Sequence, residues 1–318
     1  MKKYESEIAV IIPCYNEATT IAETIKEHRK ALPNADIYVI DNNSKDDTDK
    51  IAKENGAIVI YEYKQGKGNA VKNAFRSIKA KCYFMVDGDN TYPADKVPEM
   101  CQLVLDGKAD MVIGDRLSST YFTENKRKFH GFGNKLVRYL INLIFKSDVH
   151  DVMTGSRAFS YEFIKGFPVI SKGFELETEM TIHSLDKNYK VVEITVPYRD
   201  RVENSVSKLN TYKDGIKVLK TIATLFKEYK PVLFFSLCAL ITLVFAVILL
   251  IPVLIGYFNT GLVEKFPSLI ASGIFLVVSL LLWICGIILG VIHKKQREIY
   301  ELIINQCNAL DFEKVKKD

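Results

Sequence analysis

Residues 8–17, IAVIIPCYNE, run from an apolar stretch into a polar turn, and residues 36–44, DIYVIDNNS, repeat the move with an acid closing the run. Residues 57–62 (AIVIYE), 82–87 (CYFMVD) and 110–115 (DMVIGD) do the same. Between them lie polar segments of helical period at 18–32, 46–55, 67–80 and 93–105. Short, continuously apolar runs read as strands buried on both faces, and their alternation with helices predicts an α/β domain. The expected fold is a doubly wound, mostly parallel sheet with helices on both faces. Ser44-Lys45-Asp46-Asp47 reads as a cap opening the second helix, with an acid at the third helical position reaching back to free amides.

In such sheets ligands collect beyond the carboxyl ends of the strands. Those ends are Pro13-Cys14-Tyr15-Asn16-Glu17, Asp41-Asn42-Asn43-Ser44, Gln65-Gly66-Lys67-Gly68, Asp87-Gly88-Asp89 and Gly114-Asp115-Arg116. Asp41 and Asp87 directly follow buried runs, where an acid is well placed to accept hydrogen bonds from a ligand or to hold a cation. Two carboxylates one residue apart, as in Asp87-Gly88-Asp89, can share Mg²⁺ or Mn²⁺, which take a few carboxylate oxygens together with diphosphate oxygens. Gly66-Lys67-Gly68 belongs neither to a Walker A motif nor to a G-x-G-x-x-G fingerprint. Its lysine and the helix start behind it suit a phosphate.

Taken in order, the segments at Ile11 to Glu17, Asp41, Gly66 to Ala70 and Asp87 to Asp89, with Asp151-Val152-Met153-Thr154-Gly155-Ser156-Arg157, resemble a family 2 glycosyltransferase of the GT-A fold. More narrowly, the chain resembles the polyprenyl-phosphate glycosyltransferases, relatives of dolichol-phosphate mannose and glucose synthases. The resemblance implies a mixed, mostly parallel sheet and inverting transfer by direct displacement at the anomeric carbon. It implies that Pro13, Tyr15, Glu17 and Asp41 hold the nucleoside of the donor. It implies further that Lys67 lies near the base, ribose or diphosphate, that Asp87 contacts the sugar nucleotide, and that Asp89 is the principal metal ligand. Asp151 is implied near the sugar or the attacking phosphate, and Glu175 or Glu177 near sugar hydroxyls.

A lipid monophosphate has a second pKa of about 6 and is largely ionised at neutral pH, so as an acceptor it hardly needs a general base. It needs cations, because two negatively charged reactants must meet. Arg116 and Arg127 are the candidates. The dolichol-type relatives carry a hydroxyl residue shortly after the second arginine, and this chain departs from them with Gly131.

Two apolar runs, 232–255 and 267–292, hold no charged residue. Each has enough residues, at about 1.5 Å rise, to cross a hydrocarbon core of about 30 Å. Lys220, Lys227 and Lys230 precede the first run and Lys294, Lys295 and Arg297 follow the second, while the connection holds only Glu264 and Lys265. Basic flanks stay cytoplasmic, so a two-helix hairpin with both termini and the first 230 residues in the cytosol is expected. No secretory signal is read at the N-terminus. Residues 212–229 place Ile216, Leu219, Ile222, Ala223 and Phe226 on one helical face beside lysines, which suits an anionic leaflet. The expected organisation is a catalytic domain at 1–209, an interfacial helix at 210–230, a membrane hairpin at 231–295 and a tail at 296–318, the tail a short polar helix at most.

Composition sets the outer limits. At 318 residues, 48% hydrophobic and 25% charged, the chain is too apolar for disorder. A net charge of +5 does not argue for nucleic acid, and six cysteines with no C-x-x-C pair suggest neither zinc nor a disulfide framework. Processive polysaccharide synthases carry Q-x-x-R-W, whereas the sole tryptophan here, Trp283, lies inside the second apolar run. A silent membrane-anchored nucleotide-sugar-binding protein would be favoured by loss of Asp87 or Asp89, and both are present. The expectation is therefore a membrane enzyme moving one hexose from a nucleotide sugar, UDP-glucose or UDP-N-acetylglucosamine, to undecaprenyl phosphate with Mg²⁺ or Mn²⁺. Related enzymes with a membrane hairpin make a homo-oligomer an added expectation.

Overall fold

The computed structural model describes residues 6–118, 130–171, 173, 175–199, 223–224 and 226–315, the side chains of 130–134 and 304–315 excepted. The chain divides into two compact units, Met1–Val218 with Cys307–Asp318, and Leu219–Gln306. The first unit is built on a seven-stranded sheet in the order β3-β2-β1-β4-β6-β5-β7. Its strands are β1 (Ser6–Cys14), β2 (Asp36–Asp41), β3 (Ile58–Tyr61), β4 (Ala80–Met85), β5 (Met111–Asp115), β6 (Arg157–Ser160) and β7 (Val191–Thr195). All neighbours run parallel except β6, which lies antiparallel between β4 and β5.

The helices of this unit are α1 (Ile21–Ala31), α2 (Thr48–Glu54), α3 (Lys67–Ser77), α4 (Val97–Leu105), α5 (His130–Phe145), α6 (Tyr161–Gly166) and α7 (Leu176–Asp186). Val10, Ile12 and Cys14 of β1 join a core with Ile21 and Ile25 of α1 and with Val97, Met100 and Val104 of α4. Ala9 and Ile11, pointing the other way, are equally buried, and α3 packs on β1 and β2. Burial on both faces explains the unbroken apolar runs of β1, β4 and β5, whereas the run at 57–62, expected to be buried on both faces, forms the edge strand β3 and leaves Ile58 and Tyr61 exposed. Each large aliphatic side chain taken from water contributes about 1.5–3 kcal/mol.

The alternation to residue 115 supplies β1 to β5, with β2 at the expected 36–41. Two expectations are corrected. The segment at 44–47 does not cap α2 as read: α2 begins at Thr48, and its N-cap Asp47 makes no side-chain cap. Asp46 instead accepts from the Thr48 amide and, across the rim, from the Ala18 amide, while Ser44 Oγ accepts from the Asn16 amide. These polar groups serve as cross-links between two loops, a use that local spacing does not reveal.

The second correction concerns the C-terminus. In the other unit, α8 (Pro231–Thr260) ends on a left-handed Gly261, and α9 (Phe266–Val315), whose residues from Cys307 onward are counted with the first unit, then runs without a break through the segment expected as a tail. Both helices are long and apolar enough to cross a membrane. Most of their side chains are exposed, unlike the core helix of a soluble domain. Ala239, Ala246 and Val253 are buried at seven-residue spacing, and Ser279 Oγ donates to the Ala239 carbonyl at 2.8 Å. A Cβ at Gly286 or Gly290 would strike Phe235 or Val232 respectively, so small residues set the closeness of the two helices.

His183 on α7 is buried among Phe163, Phe167 and Tyr189. Burial, reinforced by Lys187, depresses its pKa from the ordinary 6.5 to about 4, with Asp186 opposing. Above pH 6.5 the imidazole is neutral in folded and unfolded chains alike. As pH falls from 6.5 towards 4 only the unfolded chain takes up the proton, so stability falls by up to about 3 kcal/mol across that window. The thermal midpoint of the full chain in detergent should drop over this range, and His183→Leu should flatten the drop. Equal slopes in the two proteins would refute the assignment.

Candidate active site

β1 stands where the strand order reverses, with β2 on one side and β4 on the other. The crevice beyond its carboxyl end is the switch point at which such sheets bind ligands. Pairing of Cys14 with Asp41 and of Ile11 with Met85 brings the Pro13-to-Glu17 turn, the Asp41 loop and the Asp87-to-Asp89 turn to this edge. The loops are fixed to one another. The Glu17 amide donates to Thr48 Oγ1 at 2.9 Å, and Lys45 N donates to Asn16 Oδ1 at 2.8 Å. Asn42 holds the next loop by donating to the Glu62 and Lys64 carbonyls and accepting from the Gly66 amide.

Asp41 is 5% exposed; Oδ2 accepts from the Ser44 amide, whereas Oδ1 is buried without a hydrogen-bond partner. A buried acceptor in this state costs about 1–3 kcal/mol and invites a donor from a ligand. Pro13, Tyr15 and Glu17 are half-buried along the same edge. In the following turn, Gly88 is needed because a Cβ there would lie 2.6 Å from Cys14 Sγ, and its carbonyl accepts from Thr20 Oγ1 at 2.7 Å. Burial pushes the Cys14 thiol up, and the nearby charges of Glu17, Asp41, Asp87 and Asp89 push it further. The thiol is therefore inert at neutral pH, and the rim around it is strongly negative.

Asp89 is 8% exposed, and its Oδ1 accepts from Thr91 Oγ1 at 2.7 Å and from the Thr91 amide. The next residue, Asn90, takes a left-handed backbone and buries Oδ1 without a partner. Among the described residues no group of three or more His, Cys, Asp or Glu side chains could cage a metal. The acids one residue apart in the Asp87-Gly88-Asp89 turn fit the alternative, a Mg²⁺ or Mn²⁺ ion that takes few protein oxygens and is completed by waters and phosphate oxygens.

Asp87 is differently engaged. Its Oδ1 accepts from Lys67 Nζ, which also donates to Glu177 Oε1 of α7. Burial acts to lower the Lys67 pKa, but Asp87 and Glu177 outweigh it and the net shift is upward. Lys67, expected near base, ribose or diphosphate, thus has its charge taken up by two carboxylates. Of the acids near the start of α7, Glu175 is exposed, Glu177 is buried against Lys67, and Glu179 accepts from the Ile170 and Ser171 amides.

Beyond β5, Arg116 Nε donates to Asp151 Oδ2 at 2.9 Å, its Nη1 to Tyr92 Oη at 3.2 Å and its Nη2 to the Met153 carbonyl at 3.3 Å. Asp151 is fully buried, so it stands behind Arg116 and fixes it. Burial raises the Asp151 pKa, with Arg116 acting against it. Arg157, also fully buried, donates to the Thr154 and Val152 carbonyls and to Thr181 Oγ1, tying the 151–156 loop to α7. Burial lowers its pKa to about 10, which leaves it charged at neutral pH. His150 pairs with Glu193 at 2.8 Å, and Arg199 with Glu27 at 2.6 Å. Arg127, the second expected acceptor cation, and 210–222 and 225 of the expected interfacial helix at 210–230 lie outside the described residues.

Tyr92 is the principal residue that the sequence reading passed over. Its hydroxyl accepts from Arg116 and from the Gly155 amide and lies 3.4 Å from Thr154 Oγ1, joining three loops. The available signal was a hydroxyl-bearing aromatic three residues after Asp89.

The sheet order, the antiparallel strand and the acid-lined switch point define a GT-A fold. Glucosyl-3-phosphoglycerate synthase from Mycobacterium tuberculosis, in complex with Mn²⁺, UDP and glucosyl-3-phosphoglycerate, matches it with a TM-score of 0.55 at 21% identity, over 70% of this chain and 80% of that one. The model of glycosyl transferase family 2 matches residues 9–167, and the chain belongs to that family. It is a glycosyltransferase drawing its sugar from a nucleotide sugar. Glycosyltransferase AglJ of Haloferax volcanii is 31% identical over 230 residues, covering 72% of this chain and 75% of its own. The dolichyl-phosphate hexose transferase of the same organism is 29% identical over 216 residues, covering 68% of this chain and 92% of its own.

Proposed function

We propose that this protein transfers a single hexose from UDP-glucose or UDP-N-acetylglucosamine to undecaprenyl phosphate at the cytoplasmic face of a membrane, with inversion at the anomeric carbon. The observation that carries the reading is the conjunction, in one chain, of an acid-lined switch point with two helices long and apolar enough to cross a membrane. Similarity to a dolichyl-phosphate hexose transferase supports a polyprenyl phosphate as acceptor. The reading takes 1–209 as the catalytic domain, 210–230 as an interfacial helix and the hairpin that follows as the anchor, with both termini cytoplasmic.

In this reading Pro13, Tyr15, Glu17 and Asp41 receive the nucleoside, the unpartnered Asp41 Oδ1 accepting a donor from the base or ribose. Asp89 and Asp87 hold the divalent cation, which when bound neutralises charge developing on the diphosphate as the nucleotide leaves. Arg116, held by Asp151, and Arg127 receive the acceptor phosphate. That phosphate is already ionised, so Asp151 positions Arg116 and does not abstract a proton. Of the two acids near the start of α7, the exposed Glu175 borders the sugar, Glu177 being taken up by Lys67.

The test is turnover by full-length protein in detergent with undecaprenyl phosphate and Mg²⁺ or Mn²⁺. UDP-glucose, UDP-N-acetylglucosamine, UDP-galactose and GDP-mannose are offered separately, and both glycolipid and released nucleotide are measured. Glycolipid from one of the first two donors, abolished by EDTA, is the expected result. Nucleotide binding without glycolipid from any donor would overturn the acceptor assignment.

A further inference from the structure

We propose that Lys67 is a positioning residue for sugar transfer: its ammonium bridges Asp87 of the D-x-D turn to Glu177 of α7 and fixes the direction of the Asp87 carboxylate, instead of contacting the donor phosphates. The inference rests on the proposed function only in taking Asp87 as part of the donor site.

Three distant segments meet in this bridge. Lys67 is the first residue of α3, Asp87 lies 20 residues further on and Glu177 110 residues further on. The Lys67 side chain is 14% exposed and that of Glu177 only 4%. The other Asp87 oxygen, Oδ2, rests against the backbone of Gly155, where a Cβ would overlap it. The carboxylate therefore sits in a slot, with an ammonium on one oxygen and a bare glycine on the other. An ammonium can donate to several acceptors at once and so keeps two carboxylates together that would otherwise repel. A lysine serving as a phosphate ligand carries an uncompensated charge toward the ligand, whereas this one already faces two acids.

The test uses full-length wild type, Lys67→Met, Glu177→Gln and the double variant in detergent. Three quantities are read: thermal midpoint without ligand, affinity for UDP and for uridine in EDTA, and kcat with KM for the donor. Lys67→Met should lower the thermal midpoint by leaving two carboxylates uncompensated, and adding Glu177→Gln should raise it again. Misplacing Asp87 should cost Lys67→Met about 10²-fold in kcat with a much smaller change in KM. The double variant should turn over at or above the rate of Lys67→Met, the non-additivity of two residues acting as one unit. The preference for UDP over uridine should stay within about twofold throughout, since about 1.4 kcal/mol of lost phosphate contact would already be tenfold.

Collapse of that preference in Lys67→Met, or losses that multiply in the double variant, would overturn the proposal. If wild type turns over no donor, the proposed function fails while the midpoints still decide the bridge. A double variant more stable than Lys67→Met supports it, and additive destabilisation overturns it.

Discussion

Asp89→Asn should lower turnover by about 10³-fold while leaving the protein folded, a loss of about 4 kcal/mol in transition-state stabilisation. The fold is expected to survive because asparagine keeps the Oδ1 that accepts from the Thr91 hydroxyl and amide. What disappears is one negative charge at the sheet edge that carries the Asp87-Gly88-Asp89 turn. In the proposed mechanism that charge secures the cation on the donor diphosphate, so the rate should fall much further than the thermal midpoint. Glycolipid formation and the midpoint would be measured on the same detergent preparation. Turnover within tenfold of wild type would remove Asp89 from the site.

Gly155→Ala should cost about 10²-fold in kcat, the scale expected when a reacting geometry shifts by about 1 Å. An added Cβ would overlap Asp87 Oδ2 and lie 2.8 Å from its Cγ, so the carboxylate must turn away from Lys67 or the 151–156 loop must retreat. Gly155 has no left-handed backbone to protect, and its amide can still reach Tyr92 Oη at 3.1 Å. The substitution therefore acts through volume, with an overpacking cost of about 1–3 kcal/mol in stability. Wild-type kcat in a folded Gly155→Ala variant would show that the direction of Asp87 is irrelevant to the reaction.

Much of the site's composition was legible because it lies at strand ends. The runs closing on Asp41, Asp87 and Asp115 are local patterns, and a doubly wound sheet brings such ends to one edge whatever the details of packing. The pairing of those residues was not legible. Lys67 reads as a phosphate-binding lysine from its glycine neighbours, yet it meets Glu177 from 110 positions away. Asp151 reads as a residue beside the reacting groups, yet it is fully buried behind Arg116. Ser44 and Asp46 read as a helix cap because capping is the local use of such side chains, yet Ser44 accepts from Asn16 and Asp46, besides the Thr48 amide, accepts from Ala18, both in the neighbouring loop.

The strand β6 shows the same division. Arg-Ala-Phe-Ser is too short and opens too polar to announce a strand, and only its insertion antiparallel between β4 and β5 buries the Arg157 guanidinium in the core.

By itself, then, the sequence determined the α/β alternation, the acid-lined rim, the two apolar helices and the family resemblance. All of these depend on residue types repeated at short spacing, where hydrophobic periodicity and backbone preference act directly. Tertiary structure alone decided which charge faces which. That outcome depends on strand order, on the antiparallel insertion and on distances between residues far apart in the chain, and an ion pair forms only where packing brings two such residues within reach.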